Sequence, residues 1–444
     1  MTATTEPGPR VRRGPRGHAK RAWWWARHAV ADHVGPVLAP KVLRHAKKLP
    51  SMPRVLRSRY ASPKRPWQLS APDLPARLRG PAATPRDEDA VREAFEQAPL
   101  RDFFRANLDA SGWLQRGLWR CLLPVAPRLL RARKAVRATT KVDPTPSAAT
   151  PDPDELTRRL KDHAAEIGLS AVGVAAYDPT YTFAEYQGSH VGDRVVVCVL
   201  EQNYASTQTI PSPRAEQTAL STYAELMERA ARLAELLQQH GYRAHAHDQE
   251  GETIVIHYGE QAGLGQLGRN GQLLTPEAGS RCRISVITTD APLDLDAPVD
   301  YGVREICDSC NVCVRRCPVG AIPSTWRPHR GVEKSKLNTK RCFPVVAQAD
   351  GCAICMKVCP AQRYGLTAVA DHLARTGQIL GKDTDDLEGY DWIDGYHYPP
   401  GRRPQISEEF LAMEGIDLDA TPTLPIHGEL PARPAGGDER PMVM

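Results

Sequence analysis

With 444 residues the chain is long enough for two or three domains and a sizeable core. Its 41% hydrophobic and 25% charged residues are those of an ordinary globular protein, which excludes a fibrous or wholly disordered chain. The net charge of +6 is concentrated: fourteen Lys and Arg stand between Arg10 and Arg59, against only Glu6 and Asp32.

Residues 1–60 read as a basic arm, and its first twenty residues, rich in Pro, Gly and Arg, are too polar to bury a core. Arg12-Arg13 resembles a twin-arginine signal, but no apolar core or small-residue cleavage site follows. No apolar run is long enough to span a bilayer, so the expected location is the cytoplasm. Two short basic helical pieces run from Arg21 to His33 and from Val37 to Lys48. Trp23-Trp24-Trp25 beside Arg21 and Arg27 suits a peripheral contact with an anionic membrane. The same tryptophans suit a groove on the body of the protein, and the short, Pro-broken pieces favour that reading. Nucleic acid is a third use of such charge, but no recognition motif supports it.

Residues 61–150 read as a helical region, notably Asp87 to Leu108 and Gly112 to Leu123, with Pro124 and Pro127 as stops. A basic piece with Arg128, Arg131, Arg133, Lys134 and Arg137 follows. Pro144, Pro146, Pro151 and Pro153 then mark a linker. Asp152 or Asp154 can cap a helix from Glu155 to Ile167, stopped by Gly168. Ala171 to Ala176 reads as a strand, followed by a loop with Tyr177, Tyr181 and Tyr186. Val195-Val196-Val197-Cys198-Val199-Leu200 is a continuous apolar run, the mark of a strand buried on both faces, with Cys198 in the core. Leu220, Tyr223, Ala224, Met227, Ala230, Ala231, Ala234 and Leu237 recur at helical spacing until Gly241. Thr253 to His257 and Ile284 to Asp290 read as two more strands. This alternation argues for one α/β or α+β domain. Beyond Gly365, one helix from Leu366 to Leu373 precedes a Pro-rich, acidic tail expected to wrap the body.

Eight of the eleven cysteines fall in two runs, Cys307-x-x-Cys310-x-x-Cys313-x-x-x-Cys317-Pro318 and Cys342…Cys352-x-x-Cys355-x-x-x-Cys359-Pro360. Three thiolates in one loop can hold three corners of a cubane, and the fourth comes from the other run. Cys359 is therefore expected to complete the cluster of Cys307, Cys310 and Cys313. Cys317 is expected to complete that of Cys342, Cys352 and Cys355. Zinc ribbons use four ligands in paired knuckles without Cys-Pro ends. A disulfide framework suits a small secreted domain, which this is not. Two 4Fe–4S clusters are the expectation, and they call for a reducing compartment.

Gly263-x-Gly265-x-x-Gly268 has the form of a dinucleotide fingerprint. Pro276 arrives too soon for the long helix that must follow, and no acidic partner is apparent.

The run Gly263-Leu264-Gly265…Gly268-Arg269-Asn270-Gly271…Thr275-Pro276-Glu277…Gly279…Arg281…Arg283…Thr288-Thr289-Asp290 resembles the catalytic core of the cobalamin-dependent reductive dehalogenases. Asp300-x-Gly302-Val303, leading into the cysteine runs, adds to the likeness. Epoxyqueuosine reductase is a relative with the same cofactors. The resemblance implies an α+β chain with a nitroreductase-like, cobalamin-binding α/β core over 151–300. It implies a ferredoxin-like domain with two 4Fe–4S clusters over 301–365, and a wrapping region over 366–444. It also implies corrinoid contacts from Gly263, Gly265, Gly268, Asn270, Gly271 and Thr275. His190 lies near Gly192, but Gly188 stands where an Asp-x-His-x-x-Gly run needs Asp. A base-off cobalamin without a protein ligand is therefore implied. With neither an export signal nor a fused reductase module, the expected form is stand-alone and fed by an external low-potential ferredoxin or flavodoxin.

The activity so implied is replacement of a carbon-bound halogen by hydrogen, using Co(I) cobalamin fed by the clusters, with an aromatic organohalide as substrate. Tyr204 matches the family's proton-donating tyrosine, with Tyr186 and Tyr223 as rivals, and Arg269 matches its basic partner. A phenol of pKa near ~10 needs such a cation to release its proton. Two alternatives stand beside this one: a cobalamin enzyme deoxygenating an epoxide-like nucleoside, and an electron-transfer protein with clusters and no substrate.

Overall fold

The computed structural model describes residues 119–144, 152–182, 186, 190–248, 253–329, 332–338, 341–342, 345–346, 349–392, 395–401 and 403–404. The basic arm and the helix expected from Asp87 to Leu108 lie outside the described residues. In chain order, α1 (Trp119–Leu122), α2 (Ala126–Thr139) and α3 (Pro153–Glu166) precede β1 (Ala171–Ala176) and β2 (Arg194–Glu201). Then come α4 (Tyr204–Thr207), α5 (Pro213–Gln239), β3 (Ala244–Ala246), α6 (Val255–Gln261), β4 (Gln266–Leu267), β5 (Leu273–Leu274) and β6 (Cys282–Thr289). The cysteine-bearing part holds α7 (Val303–Cys310), α8 (Val312–Arg316), β7 (Arg327–His329), β8 (Val332–Lys334), α9 (Ile354–Lys357), α10 (Pro360–Tyr364) and α11 (Leu366–Thr376). It ends with α12 (Asp385–Glu388), β9 (Tyr390–Asp391) and β10 (His397–Tyr398).

The expected apolar run forms β2, at the centre of a sheet of order β1-β2-β6-β3 in which every pair is antiparallel. Its alternation sends Val195, Val197 and Val199 to one core, with Tyr181, Tyr258 and Leu273. Val196, Cys198 and Leu200 go to the other, with Leu160, Met227 and Leu233 of the covering helices. Helices thus cover an antiparallel sheet, and each buried valine contributes on the order of 1.5–3 kcal/mol. The long α5 packs its apolar stripe on α2, β6 and β3, as the helical spacing predicts. Ser212 caps it by accepting from the Ala215 N–H at 3.2 Å.

Three local expectations change. Thr253 to His257 is not a strand: Val255 begins α6, which buries His257 and Tyr258. A short β-branched run fits either state, and burial of this helix face against the sheet decides it. Pro127 does not stop a helix but sits in the first turn of α2, where no N–H is needed. Asp152 holds the N-cap position of α3 without a side-chain capping bond. The three-residue β3 carries no β-branched residue and gives no sequence signal.

The cysteine-bearing part has its own core around Val312, Ile322, Ile354, Val358 and Trp392. Ile210, Ala215 and Leu274 join that core from the sheet-bearing part, which holds the two parts together. Arg316, 2% exposed, donates to the Tyr398 carbonyl at 2.6 Å and stacks on Tyr390, tying the C-terminal hairpin to α8. Among the described residues no helix is long and apolar enough to cross a membrane.

Candidate functional site

The two cysteine runs lie close enough for their thiols to influence one another. Cys313 feels the charges of Cys307, Cys310, Cys359 and Cys355, the last two from the other run. Cys342 feels those of Cys352, Cys317 and Cys355, with Cys317 from the other run. No three His, Cys, Asp or Glu side chains among the described residues converge on a single-ion site. A cubane asks for something else, four thiolates on four separate irons around a cage. Eight thiols are the kind of donor set that iron–sulfur clusters use. Burial pushes the Cys307, Cys352 and Cys359 thiols up to about 12. Such thiols lose their protons when a metal supplies the compensating charge. Backbone N–H groups already point at the sulfurs: Arg269 N–H at 3.5 Å from Cys307 Sγ, and Ala321 N–H at 3.2 Å from Cys317 Sγ.

The Gly-rich segment is a tight two-stranded turn, β4 to β5, not the strand–turn–helix of a dinucleotide site. A Cβ on Gly265 would fall 2.3 Å from the Leu274 carbonyl oxygen, so closure of this hairpin itself requires glycine. Gly263, at φ +67°, lies against the Ala297 carbonyl, and Gly268 and Gly271 against Leu274 and Leu337. Asn270 donates to Ser280 Oγ at 3.2 Å, and Thr275 to the Gly279 carbonyl at 3.2 Å. Tyr301 hydrogen-bonds the Gly263 carbonyl at 2.8 Å, which seats the segment leading to Cys307 on this hairpin.

Tyr204 begins α4 just past the end of β2 and is 40% exposed. Asn203 caps the turn by accepting from the Ser206 N–H at 3.0 Å. Two guanidiniums lie over the Tyr204 ring, Arg281 at 5.3 Å and Arg363 at 5.8 Å from the centroid. Arg281 is held by the Gln202 carbonyl at 2.7 Å and by Glu201 at 3.2 Å. Arg363 is held by Gln208 at 3.0 Å and by Asp386. Gln208 also donates to Gln362, the residue before Arg363, at 3.2 Å.

Arg269 does not share these contacts. Only 3% exposed, it pairs with Asp308, donates to the Ser324 carbonyl and stacks at 4.9 Å on Trp326. It belongs to the wall of the first cysteine set, while Arg281 and Arg363 are the cations at Tyr204. Arg281 lies inside the sequence motif without a distinguishing mark, and Arg363, just past Cys359, has no signal in the sequence.

Tyr177, Tyr181 and Tyr223 are committed elsewhere. Tyr181 packs edge-on against His257 and Tyr258, and Tyr177 tilts against His190 at 4.9 Å. Burial raises the Tyr177 phenol. Tyr223 stacks with Arg283 at 5.0 Å. His190 also stacks on His247, and burial lowers it to about 4, which keeps its imidazole neutral.

A tetrachloroethene reductive dehalogenase of Dehalobacter restrictus is 33% identical over 205 residues, 43% of this chain and 36% of that protein. That of Sulfurospirillum multivorans is 27% identical over 256 residues, 48% of this chain and 51% of that protein. The chain is a homologue of the reductive dehalogenases. An epoxyqueuosine reductase of Listeria monocytogenes extends the kinship, at 30% identity over 129 residues, 26% of this chain and 31% of that protein. A solved catabolic reductive dehalogenase matches the fold with a TM-score of 0.54 at 22% identity, covering 72% of this chain and 55% of that one. The mixed helix-and-sheet fold is therefore that of reductive dehalogenases. The homologue described here spans 31% to 51% of the length of these curated relatives. No family model matches the chain.

One solved reductive dehalogenase of similar fold, with a TM-score of 0.50 at 23% identity, is described as B12-dependent. Near the hairpin, Arg269 Nε and Gln272 Oε1 are buried without a hydrogen-bond partner among the described residues, and near Tyr204 so are Gln202 Oε1 and Arg281 Nε. Buried polar atoms left in this way are of the kind that a bound group or ordered water can satisfy.

Proposed function

We propose that the chain is a corrinoid iron–sulfur reductase of reductive-dehalogenase type, replacing a carbon-bound halogen with hydrogen. The observation that carries this reading is α10. It leaves the cluster ligand Cys359 and, four residues on, sets Arg363 over Tyr204. Electron supply and proton supply therefore meet on one turn of helix. The balanced step takes the organohalide, two electrons and one proton to the hydrocarbon and halide.

In this reading Cys307, Cys310, Cys313 and Cys359 hold one 4Fe–4S cluster, and Cys317, Cys342, Cys352 and Cys355 the other. A base-off corrinoid would be held by the hairpin through Gly263, Gly265, Gly268, Asn270, Gly271 and Thr275, with the unpaired Gln272 and Gln202 oxygens as further polar contacts. When bound, the clusters supply single electrons at low potential, and the corrin supplies the reduced cobalt that the carbon–halogen bond requires. The chain's own residues do the rest. Tyr204 gives its proton to the carbon, while Arg281 and Arg363 stabilise the charge left on its oxygen and the charge of the departing halide. Arg269 acts on the cluster side: its N–H at Cys307 Sγ and its permanent charge favour the reduced cluster. An aromatic organohalide suits the open edge of the Tyr204 ring. The electron donor is an external low-potential ferredoxin or flavodoxin, and the setting is cytoplasmic.

Anaerobic reconstitution with iron, sulfide and cobalamin, reduction with titanium citrate, and measurement of halide released from halophenols test the proposal. Halide release supports it. Corrinoid binding without halide release, together with deoxygenation of an epoxide, would turn the reading toward the epoxyqueuosine reductase branch, which the Listeria homologue favours. Clusters that assemble while no corrinoid binds would leave an electron-transfer protein.

A further inference from the structure

The outer face of α2 stands apart from the site just described. Its inner side buries Leu129, Ala132, Arg133 and Val136 against the sheet-covering helices. Six large apolar side chains among the described residues are exposed, and three of them flank or ride this helix: Leu123 at 59%, Leu130 at 41% and Val142 at 43%. Arg131, Lys134 and Lys141 are exposed on the same side. No acidic residue occurs within α2, and Asp143, exposed beside Val142, is the one acid at that end. Two acids of the neighbouring α5, Glu225 and Glu228, are engaged by Arg128 at 3.3 and 3.9 Å, and a further one, Glu235, is exposed.

Aliphatic side chains standing out among unneutralised cations are costly in water and serve a surface that is both apolar and negative. An acidic protein would satisfy the cations but not Leu123 and Leu130. Single-stranded RNA would call for exposed aromatic rings, and none is among the described exposed side chains of this face. A bilayer with anionic headgroups satisfies both classes of side chain at once. Leucines enter the acyl boundary while Arg and Lys remain at the phosphates, each cation adding roughly 1 kcal/mol, about fivefold in affinity. We propose that α2 is a membrane-surface helix that docks the chain on an anionic bilayer without crossing it.

The test is co-sedimentation of the full chain with phosphatidylcholine vesicles, with and without phosphatidylglycerol. Binding is expected only to the anionic vesicles and should weaken as salt is raised. Arg131→Ala with Lys134→Ala should lower affinity by on the order of tenfold. Leu123→Ser with Leu130→Ser should lower it several-fold while keeping the salt dependence. All four side chains are exposed, so iron content and thermal unfolding should stay at the parent values. Wild-type binding in both variants would overturn the proposal, because the basic arm 1–60, intact in each, would then be sufficient. Failure of the parent chain to bind anionic vesicles would overturn it too, as would capture of RNA in place of vesicles.

Discussion

Arg363 stands over the ring of Tyr204 with its guanidinium carbon 5.8 Å from the centroid, although Tyr204 begins α4 after the central strand and Arg363 lies in α10 of the cysteine-bearing part. Arg281 reaches the same ring at 5.3 Å from the end of β6. If Tyr204 is the general acid, Tyr204→Phe should retain clusters and corrinoid but lose turnover by on the order of 10²–10⁴. Arg281→Gln and Arg363→Gln should each lose roughly 10² in kcat, with the Lys variants keeping part, since charge beside the phenol is what is asked of them. Tyr186→Phe and Tyr223→Phe should turn over normally. Single-turnover halide release with cluster content measured in parallel separates these outcomes, and normal turnover by Tyr204→Phe would sink the assignment.

The crossed ligation predicts an unusual mutational pattern. Cys359→Ala should disrupt the cluster of Cys307, Cys310 and Cys313, and Cys317→Ala that of Cys342, Cys352 and Cys355. Each variant should fall from about eight irons per chain to about four. Electron paramagnetic resonance of the reduced protein should change from two interacting clusters to one isolated signal. Pairing each loss with the other member of the same run would refute the crossed arrangement.

How much of this was legible follows from where each signal resides. Thiol spacing is local, so the two cysteine runs could be read from the chain, as could the central strand from its unbroken Val195–Leu200 run. The likeness of the 263–290 segment to reductive dehalogenases was legible too. Arg281 and Arg363 at Tyr204 were not, because their approach depends on β2–β6 register and on the docking of α10. The glycines illustrate a second limit. A motif marks Gly265 as special, but only the backbone shows that the Leu274 carbonyl leaves no room for a Cβ. Thr253 to His257 illustrates a third: a short β-branched run carries no periodicity, and tertiary burial made it the start of a helix.

Gly279 joins the hairpin to the cluster helix. It has φ +53°, and a Cβ there would lie 2.4 Å from the backbone N of Gln362, three residues past Cys359. Gly279→Ala must therefore shift α10 and is expected to cost about 1–3 kcal/mol from overpacking alone. Its first visible effect should be loss of the cluster that Cys359 completes, ahead of the cluster of Cys342. Full iron content with an unchanged unfolding midpoint would show that this contact yields easily.

Glu216 gives a prediction with a definite sign. Its carboxyl, in the first turn of α5, lies so close to Gly351 that a Cβ there would fall 1.9 Å from Oε2. Burial raises it from an ordinary 4.5 to about 7, opposed by Arg283 and assisted by Asp350. Between those two values the unfolded chain has released this proton while the folded chain still holds it. Stability from this group is therefore fully present below pH 4.5 and is lost as pH rises toward 7, at up to about 1.4 kcal/mol per pH unit. Glu216→Gln keeps the shape and removes the titration. Urea unfolding across this window should show a falling contribution in the parent that is absent in the variant, and the variant should be the more stable of the two above pH 7. Parallel pH profiles for parent and variant would mean that Glu216 is ionised in the folded protein and paired by Arg283.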